Sequence, residues 1–159
     1  MAKNINEMPH NLEAEQSLLG CLLLDSEIQL ELLASLSEDN FYTESHKHII
    51  NAMREIYEQK KAVDLVTLTD QLERNTALEA VGGISYLTDL TRIVPSTANY
   101  KYYYEIVLRD GLLRKLTLLG EDEIKVSQYG QWILLDGIRR GVARAGYKLD
   151  SYIQMTKHD

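Results

Sequence analysis

Apolar residues recur at intervals of three and four along most of the chain, which is the spacing of one face of an α-helix. The first such pattern follows Pro9, and Asn11 stands where an N-cap residue is expected. Two neighbouring apolar lines predict a helix that is buried over most of its circumference. They are Leu12, Leu19 and Leu23, and Ala14, Leu18, Cys21 and Leu22.

Three further helices and one ambiguous segment follow. The pattern predicts helices at 27–36, at 44–61 and in the segment 82–90, where Gly82 and Gly83 precede the helix. In VDLVTLTDQLERN, Asp64 can cap a helix, although the β-branched residues also allow a short strand; the short length and the following DQLER favour the helix. The predicted inner faces are Ile49, Ile50, Met53, Ile56 and Tyr57 in one helix and Leu65, Leu68 and Leu72 in the other.

The longest predicted helix covers residues 98–119, after Pro95, with Ser96 or Thr97 as its cap. It carries two apolar stripes, and a helix that is apolar on two faces needs two packing partners. The second face therefore indicates a hairpin partner or another subunit. The stripes are Tyr100, Tyr104, Val107, Leu108, Leu112, Leu116 and Leu119, and Tyr102, Tyr103, Ile106 and Leu113.

The composition is that of an ordinary globular domain, with 45% hydrophobic and 26% charged residues in 159. The net charge is -7, and residues 1–131 carry 12 basic against 21 acidic side chains. An acidic body disfavours non-specific binding of nucleic acid. A single cysteine excludes an internal disulfide, and the N-terminus lacks the apolar core of a signal peptide. We therefore expect a cytoplasmic protein that does not enter a membrane.

No catalytic or metal-binding pattern is evident. On a helix, His10 and Cys21 would be about 16 Å apart, so Cys21 is expected to pack as a small hydrophobic residue. His46 and His48 are two residues apart and diverge on a helix, so they cannot share a metal ion. Glu13 and Glu15 are interpreted as charges in the first turns of a helix, where the helix dipole favours them, and carboxylates on the predicted polar faces as solvated groups. The chain has no GxxxxGK[ST], GxSxG or GxGxxG sequence, and we expect neither catalysis nor a cofactor.

Five stretches in order carry a family resemblance: PHNLEAEQSLLG, NFY followed by HKHI, VDLVTL, GGISYL and VPSTANYKYYYEIV. Together they resemble the N-terminal domain of bacterial replicative DNA helicases, the DnaB family, over residues 9 to about 119. The resemblance implies an all-α fold, with a small globular helical bundle followed by a long helical hairpin. The expected divisions are an N-terminal arm at 1–8, the bundle at 9–95, the hairpin at 96–131 and a tail at 132–159.

The resemblance also implies partners. In that family the hairpins pair into dimers, three dimers form a collar on a hexameric motor, and the collar binds the helical C-terminal domain of primase, with loader proteins acting nearby. ATP and Mg²⁺ belong to the motor domain, whose P-loop is missing here. The implied subunit-interface residues are Tyr102, Tyr103, Ile106 and Leu113. The implied primase-binding residues are Glu13, Tyr86 and Ile124.

The chain departs from the family after Tyr129. The family has an acidic linker helix there, whereas residues 132–159 have three glycines and more basic than acidic side chains. Two other functions remain open on the sequence. One is a free-standing regulator that mimics this domain and acts on a helicase or its partners. The other is weak binding of single-stranded nucleic acid through the tyrosine cluster and the basic tail.

Overall fold

The computed structural model describes residues 8–118, and all regular secondary structure in that range is helical. This confirms the predicted all-α fold. Within that range, no helix has the length and apolarity that a membrane span requires. The helices are α1 (Leu12–Leu24), α2 (Ser26–Leu32), a 3₁₀ turn (Glu38–Asn40), α3 (Glu44–Glu58), α4 (Leu65–Arg74), α5 (Gly83–Ile93) and α6 (Tyr100–Leu118).

The helix starts follow the predicted capping residues. The Asn11 side chain accepts the Ala14 N–H at 2.9 Å, which satisfies one of the unpaired amides at the start of α1. The Asp64 side chain accepts the Thr67 N–H at 2.9 Å, so the ambiguous segment is a helix. Gly82 precedes α5 with φ of 104°, and a Cβ there would lie 2.9 Å from the Tyr86 Cβ. Glycine is therefore required at this turn.

Helix α1 lies at the centre of the bundle and packs against α2, α3, α5 and α6. Its sequence from Ser17 to Leu23 is buried without interruption, as its two apolar lines predicted. The α3 face predicted from spacing is also confirmed, because Ile49, Ile50 and Met53 are fully buried. These side chains form one continuous core with Phe41 and with the leucines of α4 and α5.

Helix α6 begins at Tyr100, two residues later than predicted, because Ser96 caps a separate turn by accepting the Ala98 N–H at 3.0 Å. Residues from both predicted stripes pack in or against the core of the bundle. The core-facing residues include Tyr100, Tyr103, Tyr104, Ile106 and Val107. The predicted second hairpin helix and the tail at 132–159 lie outside the described residues, as does most of the predicted arm at 1–8.

Candidate docking surface and the polar network beneath it

Helices α1 and α5 lie side by side and run in the same direction. Gln16 of α1 meets Tyr86 of α5, and four residues further along both helices Gly20 meets Leu90. The approach at Gly20 is so close that a Cβ would lie 2.3 Å from the Leu90 carbonyl oxygen. The two helix N-termini are therefore adjacent at one end of the bundle.

That end of the bundle exposes two large apolar side chains. Leu12 is 47% exposed and Ile84 is 53% exposed, in the first turns of α1 and α5. Glu13 is exposed beside Leu12, and Tyr86 is half-buried one turn into α5. Two of the three predicted primase-binding residues thus lie at the same end of the bundle, and Ile124 lies outside the described residues. We call Leu12, Glu13, Ile84 and Tyr86 the α1–α5 surface.

The Tyr86 hydroxyl points inward to a buried histidine. Tyr86 Oη lies 2.6 Å from His46 Nε2 and accepts a hydrogen bond from Gln16 Nε2 at 3.2 Å. The other ring nitrogen, His46 Nδ1, lies 2.8 Å from Glu15 Oε1. A carboxylate can only accept, so Nδ1 carries a proton, and the Tyr86 hydroxyl can donate to a neutral ring or accept from a charged one. The three side chains connect α5, α3 and α1.

Glu15 is the centre of this network. Its side chain carries a carboxylate, a group usually found at the surface, yet the residue is only 2% exposed. Besides His46, its carboxylate accepts the backbone N–H groups of Tyr42 at 2.9 Å and of Thr43 at 3.3 Å. Burial opposes ionisation of Glu15, but the hydrogen bonds from His46 and from Tyr42 outweigh it and lower the pKa of the carboxyl group. Glu15 is therefore a buried carboxylate that is fully hydrogen-bonded.

Glu15 was expected only to favour the dipole of α1, and its burial was not predicted. Glu15 stands three residues before Leu18 and four before Leu19, so it lies on the buried side of α1. His46 likewise stands three and four residues before Ile49 and Ile50 and is fully buried. Two ionisable residues of opposite type on two core-facing stripes were the signal in the sequence that could have indicated a buried pair.

The Glu15–His46–Tyr86 arrangement resembles a catalytic triad in geometry, but its chemistry is different. Burial raises the pKa of the Tyr86 hydroxyl, so that group keeps its proton and is not an activated nucleophile. Cys21 is fully buried, as predicted, and burial raises the pKa of its thiol to about 11. In the described range no group of three His, Cys, Asp or Glu side chains is placed to hold a metal ion.

The four predicted interface residues on α6 have different environments. Tyr102 is 62% exposed, and its ring contacts the Tyr103 ring edge-on. Tyr103 packs against the core of its own chain, and Ile106 is only 9% exposed within that core. Leu113 is half-buried. Tyr102 therefore offers more exposed area to another subunit than the other three residues do.

Arg114 attaches α6 to the bundle, a role that the sequence did not suggest. Its guanidinium donates to the Pro9 carbonyl at 2.8 Å and to the Asn40 carbonyl at 3.0 Å. It also lies 5.7 Å from the centre of the Tyr42 ring, which stacks on His10 at 4.1 Å. A buried arginine with carbonyl partners fixes one helix against two other chain segments.

Comparison with known proteins gives consistent matches. The family model described as DnaB-like helicase N terminal domain matches residues 7–109. The chain is 44% identical over 108 residues to "Replicative DNA helicase DnaC" of Bacillus subtilis (strain 168), covering 68% of this chain and 24% of that protein. It is 40% identical over 119 residues to "Replicative DNA helicase DnaB" of Buchnera aphidicola subsp. Baizongia pistaciae (strain Bp), covering 75% and 26%. The chain thus spans about a quarter of the length of these relatives.

The structural comparison agrees with the sequence matches. The crystal structure of the N-terminal domain of DnaB helicase from Mycobacterium tuberculosis superimposes with a TM-score of 0.68 at 32% sequence identity. The match covers 87% of this chain and 99% of that one. The family model alone matches well over half of the chain. The chain therefore belongs to the DnaB-like helicase N-terminal domain family.

Proposed function

We propose that this chain acts in DNA replication as the non-catalytic oligomerisation and primase-docking domain of a hexameric replicative DNA helicase in the cytoplasm. The observation that carries the proposal is the match of residues 7–109 to the family of helicase N-terminal domains. The matched relatives are replicative DNA helicases, of which this region is about a quarter. ATP and Mg²⁺ would be bound by a motor domain, and the proposal assigns no cofactor to this chain.

The α1–α5 surface supports the docking part of the proposal. The first turns of α1 and α5 expose two large apolar side chains, Leu12 and Ile84, and the carboxylate of Glu13. Exposed apolar side chains together with a charged group are typical of a protein-binding surface. It suits a helical partner that presents apolar side chains next to a basic one, and we assign this role to the C-terminal domain of primase. A helicase loader is a further partner in the proposal.

Replacing Glu13 by alanine is expected to weaken binding of the primase C-terminal domain by about 5- to 30-fold, because an interface carboxylate would lose its charged partner. Isothermal titration calorimetry with the purified chain measures the effect. Glu27→Ala is the matched control, since Glu27 is also an exposed acidic residue in the second position of a helix. Equal affinities for the two variants would contradict a docking role for Glu13.

The oligomerisation part of the proposal places Tyr102 at a subunit contact, since a 62% exposed tyrosine can anchor a partner. The chain is expected to form dimers, which associate as three pairs in the complete hexamer. Light scattering across a dilution series should show a dimer that Tyr102→Asp weakens at least about tenfold. Val66→Asp is the control, because Val66 is 78% exposed on α4. A strict monomer at high concentration would contradict self-association and leave primase docking untouched.

A further inference from the structure

A short connector, residues 40–43, is held from two sides by buried charged groups. On one side, the Glu15 carboxylate accepts the N–H groups of Tyr42 and Thr43 at 2.9 and 3.3 Å. On the other side, Arg114 donates to the carbonyl of Asn40 at 3.0 Å. The connector joins the 3₁₀ turn to α3, and its middle residues are in neither helix. Its position therefore depends on both groups at once.

The first of these groups is connected to the α1–α5 surface. Glu15 is hydrogen-bonded to His46, and His46 is hydrogen-bonded to the half-buried Tyr86 hydroxyl at 2.6 Å. His46 is fully buried, so it can respond to a shift of Tyr86 only through these two contacts or through its packing. These contacts form a continuous chain of hydrogen bonds from Tyr86 through His46 to the Glu15 carboxylate that accepts from the connector.

The second group belongs to α6. Arg114 binds the connector through the Asn40 carbonyl and through the face of the Tyr42 ring. The backbone of α6 also lies close to the connector, since a Cβ at Gly111 would be 3.4 Å from the Asn40 Cα. Burial lowers the pKa of Arg114, and the attraction between its charge and the Glu15 carboxylate on the other side of the connector partly offsets that lowering.

We propose that connector 40–43 couples the α1–α5 surface to α6, so that a partner contacting Tyr86 and the attachment of α6 by Arg114 influence each other energetically. The inference rests on the proposed function in one respect, namely that the α1–α5 surface is where a partner binds. The coupling itself is a property of the isolated chain. A partner that moves the Tyr86 hydroxyl alters the hydrogen bonds of His46 and Glu15, and these alter the connector on which Arg114 is seated. Coupling of this kind is reciprocal.

A double-mutant cycle on the full chain tests the coupling without any partner. Tyr86→Phe removes only the hydroxyl, and Arg114→Lys keeps the charge but loses the two-carbonyl geometry. The unfolding equilibrium constants of the wild type, the single variants and the double variant are measured in urea. We expect the effect of the double variant to differ by about threefold or more from the product of the single effects. A double-variant effect equal to the product of the two single effects would overturn the proposal.

The control cycle pairs Tyr86→Phe with Arg74→Lys. Arg74 makes an exposed ion pair with Asp70 on α4. The effect of Arg74→Lys on the unfolding equilibrium constant should therefore combine with that of Tyr86→Phe as a simple product. If Arg114→Lys is too unstable to measure, the NMR signal of Arg114 Nε–H reports instead. It should shift in Tyr86→Phe, whereas an unchanged signal would overturn the coupling.

A titration with the primase C-terminal domain separates this inference from the proposed function. Non-multiplicative effects without primase binding would support the coupling and contradict the docking proposal. Binding of primase together with a simple product in the cycle would overturn the coupling and leave docking supported. If primase binds and the effects in the cycle are not multiplicative, we expect Arg114→Lys to change the affinity for primase although Arg114 lies outside the α1–α5 surface.

Discussion

Replacing Glu15 by glutamine is expected to lower the free energy of unfolding by about 3–5 kcal/mol, because it removes a buried carboxylate that accepts hydrogen bonds from three donors. The Glu15 carboxylate accepts from His46 and from two backbone N–H groups. A glutamine has one acceptor oxygen, and its NH₂ group would face a second donor. The His46 side chain would remain fully buried with a weakened partner. Urea unfolding followed by circular dichroism measures the loss.

Glu13→Gln is the matched control, since Glu13 is an exposed residue two positions earlier in the same helix. It should change the free energy of unfolding by no more than about 0.5 kcal/mol. A loss below about 1 kcal/mol in Glu15→Gln would show that the network contributes little to stability. Such a result would also contradict the inference that Glu15 of α1 holds connector 40–43 in position.

The difference in the free energy of unfolding between the wild type and Glu15→Gln should depend on pH. The pKa of Glu15 is lowered in the folded chain, so the unfolded chain takes up the proton more readily as the pH falls. The stabilisation from this carboxylate is therefore complete above the ordinary glutamate pKa of about 4.3 and is lost as the pH falls through the lower, folded value. Urea unfolding at neutral pH and below pH 4 should show a smaller difference in the free energy of unfolding between the wild type and Glu15→Gln at the lower pH.

Local sequence signals predicted most of the helices for a physical reason. The Asn11 and Asp64 caps act on amides three residues away, and the stripe of Ile49, Ile50 and Met53 repeats within one helix. Such contacts are set by helix geometry alone and can be read from spacing. The resemblance to the helicase family added the order of the elements. The fold class was therefore predictable.

The polar interior was not predictable in the same way. Glu15 and His46 are 31 positions apart, and Arg114 contacts a carbonyl 105 positions away. Spacing within one helix says nothing about which polar side chain meets another across the core. Ionisable residues are also expected at the surface, so Glu15 was assigned only to the helix dipole, and no structural role was predicted for His46 or Arg114. Spacing also did not show that Tyr103 and Ile106 of α6 pack against the core of their own chain.

Replacing Gly20 by alanine is expected to lower the free energy of unfolding by about 2–3 kcal/mol, because the added methyl group would overlap the α5 backbone. Its Cβ would lie 2.3 Å from the Leu90 carbonyl oxygen, and a backbone atom cannot rotate away as the end of a side chain can. Alanine also favours a helix over glycine by about 1 kcal/mol, which opposes the loss. The overlap should outweigh this gain. Urea unfolding again provides the measurement.

Gly111→Ala separates the two effects, since Gly111 is also a helical glycine but its Cβ would lie 3.4 Å from the nearest atom, the Asn40 Cα. That variant should be neutral or more stable by up to about 1 kcal/mol. If Gly20→Ala were as stable as the wild type, the backbones of α1 and α5 would have to lie further apart than the distance of 2.3 Å between the added Cβ and the Leu90 carbonyl oxygen implies. The functional consequence follows from the same contact, because pushing α5 away also moves Tyr86 from His46 and Gln16. The proposed docking of primase at the α1–α5 surface should therefore be weaker in Gly20→Ala even though Gly20 is buried.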